Sequence, residues 1–165
     1  MVVITYLERR QAPTSNGPEP LPGSTVMQAQ SPTVSFYRYL YGQVGQDYQW
    51  TDRAGLSDQQ LRAQLEAPGV GVFVLYVDGV PAGYVELAEQ GHETQIVYFG
   101  LMPEFHGRGL GRYLLDWAVH RAFQRPIQRL WVHTCTLDHP RAIEVYQKAG
   151  FRAYRQETKS GSVHG

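Results

Sequence analysis

Gly107, Gly109 and Gly111, interleaved with Arg108 and followed by Arg112, form the segment of this chain best suited to chemistry. They sit in the run Met102-Pro-Glu-Phe-His-Gly-Arg-Gly-Leu-Gly-Arg-Tyr-Leu-Leu115. An apolar strand-like stretch feeds this loop, and a helical pattern leaves it. Glycine tolerates positive φ and lets backbone come close to a ligand. The free N–H groups and dipole at the start of a helix attract an anion. The two arginines add positive charge. In physical terms this is a cradle for phosphate or pyrophosphate. It is not a P-loop, because no Gly-Lys-Ser/Thr is present. It is not the dinucleotide fingerprint, because the spacing is G-x-G-x-G and no early βαβ unit carries it. By themselves these residues also allow a glycine-rich helix entry that holds no ligand.

A second constellation is His139-Pro-Arg-Ala-Ile-Glu-Val-Tyr-Gln-Lys-Ala-Gly-Phe151. The first segment, a strand followed by Pro-x-x-polar-Gly-Arg-Gly-Leu-Gly, resembles motif A of the GNAT superfamily of acyl-CoA-dependent N-acyltransferases. The second is similar to that family's motif B, Asn-x-x-Ala-x-x-Leu-Tyr-x-Lys-x-Gly-Phe. Together they cover about residues 94 to 155. His106 stands where the family usually has Arg or Gln, and His139 stands where motif B has Asn. The segment from Val132 to His139 is longer than the commonest form.

The resemblance implies an α/β (mixed α+β) fold. Its sheet would be six- or seven-stranded, mixed and mostly antiparallel, with helices on both faces. The sheet would splay between two central parallel strands, here Gln95–Leu101 and Gln128–Thr134. Acetyl-CoA would be the co-substrate. Its pyrophosphate would rest on backbone N–H groups from Gly107 through Arg108, Gly109, Leu110 and Gly111 to Arg112, with the His106 N–H able to serve as well. Leu101, Met102, His139 and Tyr146 would complete the CoA site, the Leu101 N–H polarising the thioester carbonyl. Tyr146 falls on the family's usual general acid. Some members carry a Glu base at the position of Gln95, which cannot accept a proton at neutral pH. Glu93 shares its strand parity, and Glu86 on the preceding strand is the favoured substitute. His133 and a chain of water molecules are further candidates.

The implied reaction is direct attack of a primary amine of a small molecule on the thioester, through a ternary complex. Alternatives are a protein N-terminal or lysine acetyltransferase, a non-catalytic CoA sensor, and a nucleotide-phosphate binder. Cys135 reads as a small buried residue rather than a nucleophile. His133 and His139 lack the partners of a metal site, so no metal is expected. Phe36, Tyr37, Tyr39, Tyr41, Tyr48 and Trp50 form an aromatic cluster that borders the acceptor pocket in such a fold. Arg38 or Arg53 could hold an acceptor carboxylate there.

The elements that must position these groups follow from periodicity. Val2 to Leu7 reads as a strand. Residues 11–32, rich in Pro, Ser, Gly and Thr, read as a long loop. Ser31-Pro32 opens a helix with Pro at its first position and Phe36, Leu40 and Val44 as its stripe. Ser57 and Gln60 make a capping box, stapled by Leu56 and Leu61, for a second helix. Val70–Val77, Val80–Glu89 and Thr94–Leu101 form a meander, with Asp78-Gly79 as a hairpin turn. A helix after Gly111, a strand Gln128–Thr134, a helix from Asp138 to Gly150 and a strand Phe151–Arg155 complete the chain. Residues 159–165 read as a frayed tail.

The chain has 165 residues and reads as one acyltransferase domain, 1–165. Hydrophobic residues make up 42%, which supplies a core and excludes general disorder. Fifteen Lys+Arg balance fifteen Asp+Glu, so no basic excess points to nucleic acid. No apolar run reaches the roughly 18 residues of a membrane span, and the N-terminus lacks the pattern of a signal peptide. One cysteine suits a reducing, cytoplasmic setting. A homodimer stays open on these grounds.

Overall fold

The computed structural model describes residues 1–48 and 50–160. The chain begins with β1 (Val2–Arg9) and β2 (Ser24–Ala29), then α1 (Val34–Gly45) and α2 (Asp58–Leu65). The meander is β3 (Val70–Val77), β4 (Val80–Gln90) and β5 (Glu93–Leu101). After it come α3 (Leu110–Ala122), β6 (Arg129–Cys135), α4 (Ala142–Lys148) and β7 (Arg152–Lys159). The strands form one seven-stranded sheet in the order β2-β3-β4-β5-β6-β1-β7. All neighbours are antiparallel except β5 and β6. This is the GNAT-like mixed sheet with helices on both faces.

The two faces are visible in the core. On one side Tyr37, Leu40 and Val44 of α1 and Leu61 and Leu65 of α2 pack on Val72, Val74, Tyr84 and Tyr98. On the other, Leu114, Leu115 and Ala118 of α3 and Tyr146 of α4 pack on Phe73, Leu75, Val85 and Ile96. β3 is therefore apolar at successive positions, as a strand buried on both faces must be.

Local signals place most elements as expected, including the Ser57–Gln60 capping box, in which both reciprocal hydrogen bonds form. Four details differ. β2 lies inside the stretch read as a long loop, because its partner β3 is distant in sequence and its own residues are only half-buried. α1 starts at Val34, capped by the Thr33 hydroxyl, so Pro32 precedes the cap rather than opening the helix. Tyr37 and Tyr41, not Phe36, belong to its buried stripe. α4 starts only at Ala142, because Asp138 caps the end of β6 instead, accepting from Thr134 Oγ1 at 2.6 Å and the Cys135 N–H at 2.8 Å. β7 runs on to Lys159 because β1 offers it partners as far as Val2; the rest of the expected frayed tail, 161–165, lies outside the described residues.

β1 is inserted between β6 and β7 and is β7's tie to the sheet. Its Glu8 lies between two cations, with Arg10 at 2.8 Å and Arg129 at 3.0 Å. Partial burial pushes the Glu8 carboxyl up, but hydrogen bonds from Arg10 and Arg129 outweigh it and hold the group below its ordinary value. A depressed folded value contributes stability above the unfolded value of ~4.3 and loses it as pH falls through the folded one. Glu8→Gln should therefore cost ~0.5–1 kcal/mol near neutral pH, the range of a partly screened pair. In urea titrations that deficit should vanish by about pH 3; a deficit independent of pH would assign it to packing.

Candidate active site

The site begins with an irregularity in β5. Glu86 pairs with Tyr98 and Leu87 pairs with Ile96, so Val97 is an extra residue on β5. Such a bulge bends its strand away from the neighbour. The parallel pairing with β6 ends at the same level, at Ile96 and Val132. Beyond it the strands part, and a cleft of about 380 Å³ opens between them.

Backbone alternation decides what faces this opening. The Met102 N–H donates to the Ala82 carbonyl at 2.8 Å, within the β4 side of the ladder. Alternate residues of an antiparallel strand turn their N–H groups to opposite sides. The Phe99 and Leu101 amides therefore point into the cleft. The Leu101 carbonyl points the same way and meets His106 Nε2 at 3.3 Å. Met102, expected among the CoA contacts, does not belong there: its amide is bonded to β4 and its side chain is buried against α1. Phe99 was not foreseen, although the alternation that singles out Leu101 includes it.

α3 enters the cleft at its far end. Gly109 is the N-cap, at φ +77°, and supplies no capping side chain. The first N–H groups of α3 consequently remain open to an anion. Gly107, Gly111 and Arg112 line the cleft here. Leu110 buries its side chain in the core, so only its backbone can serve a ligand. Arg112 is held by both carboxylate oxygens of Asp116 at 3.0 Å, and Arg108 lies exposed over the Phe105 ring. The His106 N–H is not available, because it donates to the Pro103 carbonyl and closes a 3₁₀ turn. What His106 brings to the cleft is its ring.

Tyr146 lines the opposite wall, its ring against Phe99 and Phe151. Burial first, then the charge of Asp138, pushes its phenol well above the ordinary value, so the hydroxyl stays protonated. His133, one residue past the last parallel pair, also lines the cleft, as do Tyr48, Trp50, Tyr98, Asp138 and His139. His139 Nδ1 accepts the Arg141 N–H at 3.0 Å. Its neutral ring therefore carries the proton on Nε2 and acts as a donor. The Tyr48 and His139 rings meet edge to face across the mouth. Burial, followed by Asp138, pushes the Cys135 thiol up, consistent with a protonated, structural cysteine.

The two carboxylates expected near the thioester are elsewhere. Glu86 is fully buried beneath α1 and does not line the cleft. Its Oε1 accepts from Tyr37 Oη and from Arg53 Nη1, both at 2.6 Å. A carboxylate engaged in this way, with Arg53 lying over the Tyr98 ring between it and the cleft wall, is badly placed to take a proton from an acceptor. Glu93 sits at the paired end of β5, opposite Arg129, and forms an exposed ion pair with it at 3.0 Å. Nor do the arginines face an acceptor carboxylate: Arg53 also holds Gln64, and Arg38 holds Asp58 and the Leu56 carbonyl. Arg53 instead fixes the segment between α1 and α2, its N–H donating to Tyr41 Oη at 3.1 Å. Gly100 allows this layer to close on β5, since a Cβ there would lie 2.5 Å from Val44 Cγ1.

A splayed sheet with inward amides and an uncapped helix start defines a class of folds that hold an extended, phosphate-bearing ligand between two parallel strands. The model of the Acetyltransferase (GNAT) family matches residues 32–151, and the chain belongs to that family. An uncharacterized N-acetyltransferase of Methanocaldococcus jannaschii is 33% identical over 90 residues, which are 49% of this chain and 38% of the relative. The chain thus spans well under half of that relative's length. Among solved structures, a GCN5-related N-acetyltransferase from Sphaerobacter thermophilus superposes with a TM-score of 0.75 at 13% identity, over 94% of this chain and 49% of that one. An aminoglycoside acetyltransferase from an uncultured soil metagenomic sample gives 0.68 at 13% identity, over 86% and 96%. These likenesses concern the fold. No helix among the described residues is long and apolar enough to cross a membrane.

Proposed function

We propose that this chain transfers the acetyl group of acetyl-CoA to a primary amine of a small molecule, by direct attack in a ternary complex. The observation that carries this reading is the pair of Phe99 and Leu101 amides turned into a cleft that ends on the uncapped start of α3. Pyrophosphate suits the Gly107–Arg112 backbone, and the pantetheine arm suits the gap between β5 and β6. The contact between Tyr48 and His139 narrows the mouth and favours a small acceptor over a polypeptide.

The neutral amine nitrogen forms a bond to the thioester carbonyl carbon, and the carbonyl electron pair moves to oxygen. Amides aimed at that oxygen are typically worth ~10²–10³ in rate. The attacking nitrogen must then lose a proton. Of the candidate bases weighed, His133 is the one on the cleft wall near the Phe99 amide, and it takes that role directly or through water. Collapse breaks the carbon–sulfur bond and releases the CoA thiolate. Tyr146, held neutral by burial, gives the thiolate a hydrogen bond and its proton.

Purified protein should release free CoA from acetyl-CoA when an amine acceptor is supplied. Failure to bind acetyl-CoA in calorimetry would end the proposal. Tyr146→Phe keeps the ring and removes the hydroxyl, so turnover should fall by ~10²-fold with the KM for acetyl-CoA nearly unchanged. Wild-type turnover in that variant would move thiolate protonation to water.

A further inference from the structure

We propose that the acceptor is a small amine that carries a second positive charge and no carboxylate. This rests on the acetyl-transfer reading above and specifies its substrate. The acceptor end of the cleft is walled by Tyr48 and Trp50, from the segment between α1 and α2, and by Tyr98 of β5. Carboxylates accompany this wall. Asp138 lines the cleft itself. Asp47 directly precedes Tyr48, Asp52 follows Trp50 by two residues, and both are exposed. Their field reaches the wall: after burial, Asp47 and Asp138 act on the Tyr48 phenol, and Asp52 is among the charges acting on Tyr98.

The cations nearby are committed elsewhere. Arg53 is bound to Glu86, Tyr37 and Gln64. Lys148 pairs with Glu144 at 3.1 Å, and Arg112 with Asp116 at the phosphate end. An acceptor carboxylate would thus meet acids and aromatic rings. A cation would meet the opposite. The faces of Trp and Tyr attract ammonium groups. The Tyr98 hydroxyl, on a residue only 3% exposed, has no hydrogen-bond partner and offers a lone pair to an N–H donor.

The attacking nitrogen is not the group these acids hold. It must be neutral to react, and it sits deeper, beside the Phe99 amide. The charge at the mouth belongs to a second amino group, separated from the first by the length of the cleft's acceptor arm.

Three probes of matched length test this: cadaverine, pentylamine and aminovalerate, assayed by release of free CoA. Cadaverine should show a kcat/KM about fivefold or more above both others, the scale of an exposed charge pair. Its advantage should shrink with added salt. Asp47→Asn combined with Asp52→Asn should raise the KM for cadaverine by a similar factor and leave that for pentylamine unchanged. Pentylamine or aminovalerate matching cadaverine, with free CoA released, overturns the second charge and leaves acetyl transfer standing. No CoA release with any of the three, from protein that binds acetyl-CoA in calorimetry, overturns both.

Discussion

Replacing Arg53 by Met is expected to destabilise the fold by about 3–5 kcal/mol, the cost of leaving one partner of a buried ion pair alone. The guanidinium lies 2.6 Å from Glu86, whose side chain is 1% exposed. Without it the carboxylate keeps the Tyr37 hydroxyl as its remaining strong donor. The second carboxylate oxygen already lacks a partner, so no spare hydrogen bond compensates. Adding Glu86→Leu should restore most of the loss, because an apolar pair of similar volume often matches a buried ion pair. Urea denaturation measures both. A single variant within 1 kcal/mol of wild type would mean that Glu86 is hydrated in solution. The same pair separates structure from catalysis. If Glu86 were the base, the basic limb of the kcat/KM profile would disappear in the double variant. With Glu86 acting through Arg53 on the position of Trp50, the limb persists and the acceptor KM changes instead.

Gly109→Val is expected to weaken CoA binding by on the order of 10²-fold, equivalent to ~2.7 kcal/mol. Gly109 holds φ at +77° at the start of α3. A β-branched residue resists that conformation at a cost of roughly 1–3 kcal/mol. Nothing lies within 4 Å of the site its Cβ would occupy. The free protein therefore loses local strain energy but suffers no collision, and it should fold. The lost binding comes from re-aiming the N–H groups of the first turn and from branched carbons standing where pyrophosphate approaches. Arg108→Ala should cost about threefold, since an exposed charge is screened. Calorimetry with CoA decides the matter. An unchanged Kd in folded Gly109→Val protein would remove this loop from the CoA site.

The features legible in the sequence are those whose cause is local. The glycine-rich entry to α3 requires conformations that few residues adopt. The Asp78-Gly79 turn holds both residues at positive φ. The capping box at Ser57 needs only residues three apart. Tyr146 could be assigned to the cleft because the short helix that carries it is positioned by the Gly150 turn, itself at positive φ. The strand order could not be read this way. β1 and β7 pair although they lie at opposite ends of the described chain, and β2 pairs across two helices. Nothing in either strand's own residues names its partner.

The candidate base shows the limit most clearly. Period-two alternation ties Glu86 to the face of Tyr84, but does not say which helices cover that face. The extra residue at Val97 reverses the parity of β5 within one step, so faces assigned from Gln95 or Glu93 do not carry through to Phe99 and Leu101. The partner that neutralises Glu86 lies 33 residues away, in a segment without regular structure. Sequence determined the elements and the phosphate-binding backbone, because those follow from torsional preference and nearest neighbours. Only the tertiary structure decided which side chains reach the cleft, because that depends on a one-residue bulge and on contacts between distant parts of the chain.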